Sequence, residues 1–113
     1  MYETTGIKIK LNKDTLKHFL GYLNLILNKD DNLINAINAD YVYNALIRTN
    51  LETTAKKVID LLYKSNFINK NYTLKLSHSE RLSIFIVICY YQLPSNLIDI
   101  EYNINNKLIA NEY

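Results

Sequence analysis

The sequence predicts an α+β domain, mostly α, with about five helices packed on a small two- or three-stranded antiparallel sheet. Three observations predict it. Apolar residues recur at helical spacing through most of the chain, capping residues stand in front of the apolar runs, and two short segments alternate with period two. With 113 residues, 49% of them hydrophobic, the chain is long enough to bury one core, so residues 1–113 are read as a single compact domain.

Ile7, Ile9 and Leu11 alternate with Lys8 and Lys10, which predicts an N-terminal strand near residues 7–11. Asn12 is placed to cap a helix, with Asp14 near its positive end. Leu16, Phe19, Leu20, Leu23 and Leu27 then lie on one helical face that runs to about Asn28. Gly21 inside that helix suggests close packing against a neighbour. After a polar turn, Leu33, Ile34, Ile37, Tyr41, Ala45 and Leu46 form a second stripe, either one imperfect helix or two short ones broken near residues 38–40.

Thr49-x-x-Glu52 has the form of a capping box, followed by Leu51, Ala55, Val58, Ile59 and Leu62 on one face, so a further helix is expected to end near Ser65 with Asn66 as its stop. Phe67-Ile68 and residues 72–76 flank a polar tip and predict a hairpin near 67–76. Ser77-x-x-Glu80 is a second capping box. The run from Ile84 to Tyr91 is apolar nearly all round, and the cap and the length favour a buried helix there over a buried strand. Pro94 ends it. Ser95 then caps a last helix with Leu97, Ile100 or Glu101, Ile104 and Leu108 on one side.

The chemistry-bearing inventory is thin. One cysteine forms no internal disulfide, so a reducing, cytoplasmic setting is expected. Cys89, inside the apolar run, reads as a small core residue. His18 and His78 stand apart, and Asp14 is placed to pair with His18. No paired His/Cys spacing, calcium loop or glycine-rich phosphate loop is present, so no catalytic residue, metal or cofactor is expected. The formal charge of +2 does not by itself indicate a nucleic-acid or membrane partner, and the greasiest stretch, about a dozen residues, falls short of the ~20 needed for a spanning helix.

From Tyr41 to Leu76 the order is helix, turn, capped helix ending at Lys64-Ser65-Asn66, then a hairpin closing on Leu74-Lys75-Leu76-Ser77. This resembles the recognition helix and wing of winged-helix domains. The resemblance implies a DNA- or RNA-binding regulator with Thr53, Thr54, Lys56 and Lys57 on the reading helix and Lys70 and Asn71 at the wing tip.

Ten tyrosines are many for this length. Tyr22, Tyr63 and Tyr72 fit core edges. Tyr41 and Tyr43, two apart, cannot share a core-facing side of a helix, and Tyr90 and Tyr91 cannot both point inward. With Arg48 these four are the expected partner-binding residues, since tyrosine gives large contact area at small entropy cost. The leading expectation is therefore a non-enzymatic interaction protein that sterically occludes a larger host protein or ribonucleoprotein. Homodimerisation through the tyrosine-bearing helices is a third possibility. The favoured residue types have A- and T-rich codons. A small domain of such composition without a reactive centre has the profile of phage-encoded inhibitors of host defence, anti-CRISPR proteins among them.

Overall fold

The computed structural model describes residues 6–28, 33–38, 40–64, 71–98, 100, 101 and 104. Strand β1 (Ile7–Leu11) leads into helix α1 (Lys13–Leu27), which opens at the expected cap: Asn12 Oδ1 accepts from the Thr15 amide at 2.8 Å. A single 3-10 turn at Ile34–Ala36 follows. Helix α2 (Tyr41–Tyr63), strand β2 (Tyr72–Leu76), helix α3 (His78–Tyr90) and a second 3-10 turn at Ser95–Leu97 complete the order.

The class is the predicted one, α+β and mostly α, but among the described residues there are three α-helices, not about five. The main cause lies in α2. Asp40 opens it, with Oδ1 accepting from the amides of Val42 and Tyr43, and it then runs unbroken for 23 residues. Thr49 caps nothing. Its hydroxyl donates to the Ala45 carbonyl one turn back, and Thr53 does the same to Thr49. A threonine inside an existing helix satisfies itself this way, so the Thr-x-x-Glu pattern marked no new start. The last predicted helix opens on a 3-10 turn; beyond it Ile98, Ile100, Glu101 and Ile104 are helical but form no bounded element, because residues 99, 102, 103 and 105–113 lie outside the described set. Of the stripe expected there, Leu97, Ile100 and Ile104 are buried, and residue 108 lies outside the described set.

Among the described residues the sheet has two strands. β1 and β2 pair antiparallel, with Ile7 opposite Leu76 and Leu11 opposite Tyr72. β1 thus pairs with residues 72–76, the second arm of the expected hairpin, and the first arm, Phe67-Ile68, lies outside the described residues. Period two has the predicted outcome: Ile7, Ile9, Leu11, Tyr72, Leu74 and Leu76 point into the core, while Lys8, Lys10, Thr73 and Lys75 face out. α2 is the central helix, packing on α1, α3, β2 and the Ile34–Ala36 turn.

Its buried stripe is Asn44, Ile47, Leu51, Thr54, Ala55 and Val58, not the predicted one through Tyr41 and Ala45. Ile34 and Ile37 are buried as expected, but the chain turns at residues 38–40 and resets the helical phase. Asn44 secures that corner, donating from Nδ2 to the Asn38 carbonyl at 2.7 Å. α3 settles the ambiguous apolar run as a helix. Its buried side is Ile84, Val87 and Ile88, and the phase leaves Cys89 and Tyr90 exposed, so Cys89 is not a core residue.

The three layers meet at one carboxylate. Ser77-x-x-Glu80 is a true capping box, with Ser77 Oγ accepting from the Glu80 amide and Glu80 Oε1 accepting from the Ser77 amide at 2.8 Å. The same Oε1 accepts from Lys57 Nζ of α2 at 2.5 Å, and Lys57 also donates to the Lys75 carbonyl of β2 at 3.1 Å. Oε2 lies 3.1 Å from the Thr54 hydroxyl, whose proton is shared with the Asn50 carbonyl. Glu80 is only 3% exposed. Burial pushes its carboxyl up, but the bonds from Lys57 and Ser77 outweigh burial and hold it below the ordinary carboxylate value.

A carboxyl lowered in the folded state contributes stability above its unfolded value of 4.5, and that stability is lost as pH falls through the lower folded value. Glu80→Ala is expected to cost about 2–3 kcal/mol at neutral pH, from the lost cap and charged hydrogen bonds. In urea titrations across pH, Glu80→Gln should lose less stability than the wild type on acidification below pH 4.5. The glycines give an opposed pair. A methyl on Gly21 meets nothing within 4 Å, so no neighbour packs there and Gly21→Ala should raise stability by about 0.5–1 kcal/mol. A Cβ on Gly6 would lie 1.8 Å from the Leu76 carbonyl oxygen. Gly6→Ala should therefore lower stability by more than about 1 kcal/mol in the same titration.

Candidate functional surfaces

The phase of α2 decides what the molecule shows. Burying the side through Ile47, Leu51 and Val58 turns Tyr41, Val42, Ala45 and Leu46 outward. These stand at i, i+1, i+4 and i+5, so they form one contiguous patch on the first turns of the helix. Tyr41 is 81% exposed, Val42 65% and Leu46 61%. Sequence reasoning named Tyr41 but missed Val42 and Leu46. The signal was available in the stripe 44-47-51-54-58, but only to a reading that accepts Asn44 and Thr54 as buried.

The other expected partner-binding residues are dispersed. Tyr43 is half-buried against the core. Arg48 Nη1 donates to the Leu27 carbonyl at 3.2 Å, tying α2 to the end of α1. Tyr90 is exposed at the end of α3. Tyr91 is half-buried and structural: its hydroxyl donates to the Leu33 carbonyl at 2.8 Å, and its own carbonyl accepts from the buried Tyr22 hydroxyl. Burial and the nearby Glu101 carboxylate push the Tyr22 phenol well above its ordinary range. Tyr72 is buried as predicted, whereas Tyr63 is exposed, not a core edge.

For the winged-helix resemblance, the structure divides the residues of the expected reading helix. Thr53 and Lys56 are exposed on α2, with Glu52 and Asp60 exposed beside them. Thr54 is buried on Glu80, and Lys57 is tied to Glu80 and the Lys75 carbonyl. Asn71 is exposed just before β2, and Lys70 lies outside the described residues. The supposed reading helix is also the second half of α2, without a turn before it.

The histidines bond to other side chains than the expected Asp14. His18 Nδ1 lies 2.9 Å from Asn96 Nδ2 and not on Asp14, and His78 Nδ1 lies 2.9 Å from Arg81 Nη2. Among the described residues, no three His, Cys, Asp or Glu side chains converge as a metal site, and no helix is long and apolar enough to cross a membrane.

Arg81 was not foreseen. It is fully buried, and its Nε and Nη1 have no hydrogen-bond partner. Burial lowers its guanidinium from the ordinary arginine value. Leaving such donors unpaired costs about 1–3 kcal/mol each. No family model, curated protein or solved structure matches the chain.

A buried cation with one neutral acceptor burdens the fold. Arg81→Met keeps the unbranched stem and removes the unpaired donors, so it should raise stability by about 1 kcal/mol or more. Calorimetric melting checks this, and a lower melting temperature would show that the guanidinium is better satisfied than its surroundings indicate.

Proposed function

We propose that the chain is a non-enzymatic interaction protein that acts by covering a working surface of a larger protein or ribonucleoprotein. One observation carries this reading: Tyr41, Val42, Ala45 and Leu46 form an unpartnered apolar patch on the most firmly anchored helix. Burying a valine or leucine is worth about 1.5–3 kcal/mol, which this surface leaves available to a partner. An exposed aromatic beside aliphatic side chains on a rigid helix is the composition of an interface centre. A rigid domain seated by such a patch blocks whatever lies beneath it, and the mechanism needs no reactive group. The concrete instance we put forward is an inhibitor of a host defence complex, of phage type. That step rests on chain size and composition.

The test uses the full tagged chain beside the double variant Val42→Glu, Leu46→Glu. Both positions are exposed, so the melting temperature should hold. In quantitative pull-downs from a low-GC bacterial host, the wild type should retain one partner in near-stoichiometric amount and the variant should lose it. A partner held equally by both would remove the patch from the interface. A homodimer in light scattering that the variant dissolves would assign the patch to self-association instead.

A further inference from the structure

A second open surface lies on the opposite half of α2, and it does not depend on the patch at Tyr41. Among the described residues β2 pairs only with β1, and none of them pairs with its other edge. That edge faces the second half of α2 across a groove of about 400 Å³, lined by Lys57, Asp60, Leu61 and Lys64 on the helix side and by residues 73–75 of the strand. The carbonyl of Lys75 points into it, where Lys57 Nζ donates to it at 3.1 Å. In an antiparallel strand a residue's N–H and C=O face the same edge, and the residue two places away repeats them. The amides of Thr73 and Lys75 therefore face the groove as well.

The charge of the groove selects an occupant. Lys64 and Lys75 face one aspartate, with Lys57 beside them already paired with Glu80, and an adjoining hollow of about 320 Å³ shares Lys57 and Lys75 and adds Lys8. Lys8 and Lys75 stand directly opposite each other across the sheet. Like charges so placed repel, and an acidic side chain beside Lys75 relieves the pair. The groove also holds Leu61 and Leu74, which phosphate groups would not use.

We propose that this groove binds an extended acidic peptide of a partner protein as a third strand on β2. The peptide residue opposite Lys75 is Asp or Glu and continues the row from Lys8. Its neighbours in sequence point to the other side, toward Leu61 and Leu74, and are apolar. The register thus asks for alternating acidic and apolar residues. An incoming amide takes the Lys75 carbonyl from Lys57, which remains on Glu80.

Fluorescence anisotropy on the full chain tests this with four labelled probes: a peptide with a Glu-Val-Glu-Val-Glu core, the same peptide with Lys for Glu, the acidic peptide N-methylated at its central glutamate, whose amide faces Lys75 in an antiparallel pairing, and a short single-stranded DNA. Saturable binding is expected for the first alone. Lys75→Glu, at an exposed position, should weaken it at least about tenfold, while Lys10→Glu should change it less than about twofold. N-methylation should cost about tenfold as well, because it removes one ladder hydrogen bond. In ¹⁵N spectra the Thr73 and Lys75 amides should shift. Absence of saturable binding, equal binding of the methylated peptide, or indifference to Lys75→Glu would overturn the proposal. So would DNA binding that displaces the peptide, which would make the groove a polyanion surface. All of these outcomes are independent of the Val42 and Leu46 pull-down, so the two readings can fail separately.

Discussion

The fold depends on the Glu80 carboxylate. One side chain closes the first turn of α3, takes the Lys57 ammonium from α2 and accepts from the Thr54 hydroxyl. Lys57 carries the connection on to β2 through the Lys75 carbonyl. Apolar packing gives the larger share of the driving force, but it is non-directional and tolerates sliding of one helix on another. The carboxylate does not. Its acceptor sites are filled only when α3 starts at Ser77 and α2 presents residues 54 and 57 to it. The lysine is partly exposed and the carboxylate is not, so the pair is neither a screened surface bridge nor a fully desolvated one. Its geometric value exceeds its net energy.

Fixing α2 in rotation fixes what the outside of the molecule carries. With Thr54 and Lys57 held inward on one half, Asn44 bonded to the Asn38 carbonyl on the other, and Arg48 on the Leu27 carbonyl, the helix has one allowed phase. That phase exposes Tyr41, Val42 and Leu46. It also lays the second half of α2 alongside the open edge of β2, which creates the lysine-lined groove. Both surfaces follow from the same internal constraint.

Local signals were legible in the sequence where the physics is local. The strand at Ile7–Leu11, the Asn12 cap and the Ser77–Glu80 box all rest on neighbours within a few residues, and each is present. Thr49-x-x-Glu52 had the same appearance and failed, because a capping motif starts a helix only where the chain ahead of it is not already helical. Asp40, a single side chain nine residues upstream, made that decision. The β1–β2 pairing and the partners of Glu80 join residues far apart in the chain, and no periodicity reports them. Cys89 was misplaced because a run that is apolar all round conceals its phase. Arg81 was invisible for the opposite reason, since charge normally marks a surface position.

The most direct test is a carboxyl ¹³C titration of Glu80 in the intact chain. The carboxylate should titrate below 4.5, the ordinary value for glutamate, because the bonds from Lys57 and Ser77 survive burial. A midpoint at or above that value would mean that burial dominates, that the Lys57 bond does not persist in solution, and that some other contact sets the rotation of α2.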